Sequence, residues 1–148
     1  MLWENKFDYQ RVKYGYQLRL EKGEEIHQSL REFIVHAAIK GGCVVGIGAL
    51  SSYVLGYYDI HKKEYQKKEF SDEVELVSCV GNIAFKGSEP ITHLHAIVSN
   101  REMETRGGHL FEGIISATGE FSIIDSDIGL ARLDKITGLP LLDLPNKL

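Results

Sequence analysis

Three of the six histidines fall in one short region and carry most of the chemistry this chain offers. His93 and His95 stand two apart in the apolar run from Pro90 to Val98. His109 follows a short link later, within Gly107-Gly108-His109-Leu110-Phe111-Glu112. The run from Pro90 reads as a β-strand, and residues two apart on a strand share a face. Two imidazoles side by side, with a third brought in by a hairpin, offer three nitrogens to one divalent metal. A fourth position is left open for water or substrate. Two charged imidazoles would repel each other, so a metal or a carboxylate relieves their crowding. Such a set accepts zinc, nickel, copper or iron. Glu112, three residues after His109, is a candidate fourth ligand, orienting group or general base. Arg106, three residues before His109, is a candidate for steering an anionic ligand. The plainer readings are half-buried strand histidines with a hydrogen-bond partner, and exposed loop charges at Glu112 and Arg106.

The elements that must position these residues show in the apolar pattern. Tyr14 to Leu20 alternates as a first strand, and Lys22-Gly23 turns the chain. Glu24 and Glu25 then sit where a helix N-terminus favours negative charge. Ile26, Leu30, Phe33, Ile34, Ala37 and Ala38 recur at helical spacing until Gly41-Gly42. His27 and His36 lie on this helix, as surface or boundary residues. Beyond it the chain becomes strand-rich: 43–47, 52–59, 64–70, 74–85, 91–99 and 114–124 are full of Val, Ile, Tyr and Phe. Short links imply mainly antiparallel pairing. The tail from Leu130 to Leu144 reads as a short strand or hairpin and an apolar closing segment. Its leucines, with Tyr53, Tyr57 and Tyr58, serve core or interface.

Composition narrows the class. The 148 residues, 43% hydrophobic, suit residues 1–148 as a single compact domain. Seventeen basic against twenty-one acidic residues give a net charge of −4, without the basic footprint of a strong nucleic-acid binder. Lys62-Lys63 and Lys67-Lys68 alternate with Glu64 and Glu69, as on a solvated hairpin face. Cys43 and Cys79 lie in apolar runs and read as buried free thiols. No Cys-x-x-Cys motif occurs, which excludes zinc ribbons and thioredoxin-like chemistry. Without a signal-peptide core at the amino terminus or an apolar run long enough to span a bilayer, the expected location is cytoplasmic. Gly46-Ile47-Gly48 lacks the third glycine and the following helix of a dinucleotide site, so these glycines are expected at a turn or close backbone approach. Neither a nucleophile elbow nor a phosphate-binding loop is present.

The order of several motifs resembles the PPC domain, the plants-and-prokaryotes conserved domain. They are Gly46 to Asp59, Val74 to Ile83, His93-Leu94-His95-Ala96, Gly107 to Gly113, Leu130 to Asp134 and Thr137 to Asp143. The resemblance covers about residues 14–143. It implies an α+β fold in which a strongly bent, mainly antiparallel β-sheet wraps one main α-helix, assembled as a homotrimer. The resemblance is to the prokaryotic type, since no AT-hook occurs in the sequence. The family label implies a DNA-binding or transcription-regulatory module. A more distant similarity to the acetolactate decarboxylase superfamily implies a three-histidine zinc site, matched here by His93, His95 and His109, with a small anionic or carbonyl ligand. The decarboxylase's acidic and arginine residues do not map beyond the candidates Glu112 and Arg106. Enzymatic activity is therefore left open.

Overall fold

In the computed structural model, which describes residues 6–146, these residues form nine strands and one helix. The strands are β1 (Asp8–Val12), β2 (Gly15–Glu21), β3 (Gly42–Asp59), β4 (Glu64–Phe70), β5 (Val74–Lys86), β6 (Glu89–Ser99), β7 (Thr105–Asp125), β8 (Ala131–Leu133) and β9 (Pro140–Leu142). The helix is α1 (Ile26–His36). Seven strands make one antiparallel sheet in the order β1-β2-β7-β6-β5-β3-β4. An added β3–β7 ladder closes the sheet on itself. Strands β8 and β9 form a separate small hairpin.

The closed sheet follows from two long strands. β3 pairs with β7 along one edge, while its other edge takes β5 first and then β4. The expected strands 43–47 and 52–59 are thus one element. Register shifts at Gly46/Gly48 and beyond bend β3 without breaking it, as bulges do. A Cβ on Gly48 would lie 2.2 Å from the Thr118 carbonyl oxygen, so glycine there allows the close approach to β7.

The core fills from α1 and from the alternating inward residues of the strands. Ile26, Leu30, Phe33 and Ile34 of α1 are fully buried against Leu20, Leu94, Val98 and Leu110. Each such side chain contributes about 1.5–3 kcal/mol on burial. The Phe33 ring meets Tyr16 edge-on at 5.3 Å. Glu25 caps the helix, its carboxylate accepting from Gln28 N at 2.7 Å. The helix stops earlier than its apolar spacing implies. Ala38 adopts φ 53°, and Ile39 N donates to Ile34 O at 3.0 Å. Ile39 is buried, so returning it to the core drives this turn without a glycine.

Cys79 is buried and Cys43 half-buried, both unpaired. Burial pushes the Cys79 thiol up to about 12. Tyr53 is a core residue whose hydroxyl donates to Asp72 at 2.9 Å, whereas Tyr57 is exposed. Tyr58 donates to the Thr137 carbonyl and ties the tail to β3. Among the described residues no helix is long and apolar enough to cross a membrane.

Candidate metal centre

β6 alternates strictly at its centre. Thr92, Leu94, Ala96 and Val98 are buried; His93, His95 and Ile97 are exposed. The apolar set faces α1, and a one-residue slip would drive both imidazoles into the core, so the register holds both histidines outward. The β6–β7 hairpin sets His95 directly opposite His109. Its turn is held by the Asn100 side chain, which accepts from Glu102 N and Glu104 N at 3.0 Å each. His109 is therefore a strand residue, although its glycine-rich surroundings read as a link.

The three rings form a triangle. Centroids stand 5.3 Å apart for His93–His95, 5.1 Å for His93–His109 and 5.6 Å for His95–His109. One nitrogen from each lies within 4.8 Å of the others. With metal–nitrogen bonds near 2.0–2.1 Å, nitrogens around a tetrahedral zinc stand about 3.3 Å apart, so side-chain rotations of an ångström or so would complete a site. Among the described residues no carboxylate joins this group.

The surroundings disfavour the charged forms of His93 and His109. Burial, then His93, His95, His27 and Lys67, push His109 down to about 4. Burial and the neighbouring His95 and His27 also lower His93. Neutral imidazoles have the free lone pairs that metal ligation needs. Tyr65 on β4 places its hydroxyl 3.4 Å from His109 Nδ1. Burial, followed by Tyr58, raises the Tyr65 phenol, so it stays protonated. When Nδ1–H donates to the Tyr65 oxygen, Nε2 is the free ligand atom. The Phe111 ring lies 4.4 Å from His109, and Lys67 Nζ sits 3.9 Å from the Phe111 centroid.

The two charged candidates do not join the triad. Arg106 pairs with buried Val98 on β6. Its guanidinium lies 4.5 Å from the Phe70 centroid and 3.9 Å from Asp72. A spacing of three along a strand sends Arg106 and His109 to opposite faces. Glu112 is exposed and pairs with Val54, next to a register shift at Phe111. Tyr65 and Lys67 reach the site only because β4 folds back along β3, which no motif signals.

His27 departs from the surface position expected of it. It is buried, with Nδ1 2.6 Å from Thr92 Oγ1 and Nε2 2.7 Å from the Leu110 carbonyl oxygen. Burial is the main cause of its lowered pKa. His36 is exposed, as expected.

Fold and site together define an α+β protein whose closed antiparallel sheet packs the buried face of one helix on its inner side and carries a histidine triad on its outer side. The chain belongs to the family of the Plants and Prokaryotes Conserved (PCC) domain, whose model matches residues 8–127. Solved structures agree. A candidate DNA-binding protein from Bacteroides thetaiotaomicron superposes with TM-score 0.89 at 27% identity, covering 94% of this chain and 98% of that one. A metal-containing protein from Archaeoglobus fulgidus gives 0.82 at 35% identity, over 93% and 98%. A plant- and prokaryote-conserved (PPC) protein from Pyrococcus horikoshii gives 0.80 at 28%, over 97% and 98%. A Staphylococcus aureus protein similar to alpha-acetolactate decarboxylase shares the fold alone, with TM-score 0.53 at 14% identity over 76% and 53%. Among curated proteins, the bifunctional protein GlmU of Synechococcus sp. (strain JA-3-3Ab) is 31% identical over 113 residues, 75% of this chain. The chain spans only 17% of that relative's length.

Proposed function

We propose that this chain is a single-domain metal-binding protein that holds one divalent ion, zinc in the first instance, on His93, His95 and His109. The observation that carries the reading is the convergence of three imidazole nitrogens within 4.8 Å on one sheet face. Their environment supports it, since His93 and His109 are pushed toward the neutral form that binds metal. So does the likeness to the metal-containing Archaeoglobus protein. Bound there, a divalent ion would supply Lewis acidity toward a carbonyl or carboxylate oxygen. Around it, Tyr65 would orient His109, Phe111 would wall one side, and Lys67 would bring a positive charge near an anionic ligand. The expected ligand is a small anion or carbonyl compound, in a cytoplasmic homotrimer.

A second reading is a DNA-associated module, favoured by the candidate DNA-binding protein of the same fold. The net charge of −4 weighs against it. One sample separates the two readings. Elemental analysis of untagged protein should find about one zinc per chain, lost in the His93→Ala/His95→Ala double variant. No metal after zinc is supplied and the excess removed would overturn the metal reading. A mobility shift of duplex DNA that fades steeply with salt would then bring the second forward.

A further inference from the structure

One edge of β7 is left without a strand partner between its β6 ladder, which ends at His109, and its β2 ladder, which begins at Thr118. The chain entering α1 covers this gap. Gly23 N donates to Ile115 O at 2.8 Å, and Ile115 N donates to Glu24 O at 3.0 Å. Gly113 N donates to the Glu25 carboxylate at 3.2 Å. His27 closes the row at the Leu110 carbonyl and reaches Thr92 on β6 with its other nitrogen. A carbonyl only accepts, so Nε2 carries the hydrogen and Nδ1 accepts from the Thr92 hydroxyl. Both nitrogens of this buried ring are used, each on a different strand.

The two residues that His27 grips are sequence neighbours of triad members, Thr92 of His93 and Leu110 of His109. Two sides of the triangle are set elsewhere. The His93–His95 distance follows from the pleat of β6, and the His95–His109 distance from direct pairing across the hairpin. The third side, His93–His109, spans the place where β6 and β7 part, and no ladder hydrogen bond governs it. We infer that His27 is a positioning residue for the triad: its ring bridges the split between β6 and β7 and sets the separation of His93 from His109. The inference rests on the proposed metal site for its effect on affinity, but not for its effect on geometry.

The test reads both. Zinc affinity is measured by competition with a chromophoric chelator. In metal-free protein, the nuclear Overhauser contact between the His93 and His109 rings is recorded by NMR. Thr92→Val keeps the shape and removes the hydroxyl; Thr92→Ser restores it; His27→Leu removes both bonds. Ile123→Val, in the buried core beside β2, serves as a destabilised control. Thr92→Val and His27→Leu should weaken zinc binding about tenfold, the lower end expected for a group supporting a ligand, and should lose the inter-ring contact. Thr92→Ser should keep both, and Ile123→Val should lower Tm with affinity unchanged. Wild-type affinity and an intact contact in folded Thr92→Val and His27→Leu would overturn the inference. So would an equal loss of affinity in Ile123→Val. If wild-type protein takes up no zinc, the metal reading fails, and the inter-ring contact in the metal-free variants still decides the role of His27.

Discussion

A histidine binds metal only through a lone pair, and the lone pairs of His93 and His109 stay free because desolvation and the neighbouring imidazoles disfavour the charged form. Both pKa values lie below that of a free histidine, with His109 at about 4. The unfolded chain, with histidines near 6.5, therefore takes up more protons than the folded one as the solution is acidified. The stability these neutral rings contribute is full above about pH 6.5 and is lost as pH falls through the folded value. Metal-free protein should lose Tm between about pH 6.5 and 4, and His109→Gln should show a shallower decline over that window. Parallel Tm–pH curves would contradict this. At this scale the triad was legible from spacing, because residues two apart share a strand face whatever the fold. Arg106 was not: read as a loop residue it was free to face His109, and as a strand residue at odd spacing it is not. His27 was missed because helical periodicity places a side chain on a face without saying what packs there.

Among the elements, β6 governs the site, and its position depends on how closely β5 approaches. Gly81 sits opposite Leu94, and a Cβ there would fall 1.8 Å from the His93 carbonyl oxygen. Backbone cannot yield as a flexible side chain does. Gly81→Ala should cost about 1–3 kcal/mol and weaken zinc binding, both read from denaturant titrations with and without metal. A variant as stable as wild type would show that the strands have slack. The strands at 64–70, 74–85 and 91–99 were readable from alternation and β-branched content, and the structure extends 74–85 and 91–99 by one or two residues. β1 was not, since Asp8 to Val12 is exposed throughout and shows no inward period. The first half of β7 was hidden by Gly107-Gly108, a pair that reads as a turn. Here the glycines sit in a strand packed closely against Ile97 and Gly56.

For the whole molecule, the face turned away from α1 carries both the triad and a band of exposed apolar residues. Val45, Val80 and His95 lie in one row across β3, β5 and β6, and His109 continues it. Val45, Ile47, Ile97 and Ile124 are about half exposed on this face. Apolar residues in such a patch favour association, and the triad stands at its border. Light scattering should give three times the chain mass, and Ile97→Asp should shift it toward the monomer. A monomeric wild-type protein would refute the proposed homotrimer.

The sequence by itself determined the helix, most of the strands and the placing of His93 and His95 on one strand face, because these rest on periodicities of 3.6 and 2, which are local properties; the bent α+β sheet came with the resemblance to the PPC domain. Tertiary structure alone decided that β3 and β7 close the sheet, that β4 brings Tyr65 and Lys67 beside His109, and that His27 sits beneath the triad. Each of these depends on pairing between residues far apart in the chain, such as Gly56 with His109 and Thr92 with His27. Such contacts follow from the packing of one shared core, which no short window of sequence contains.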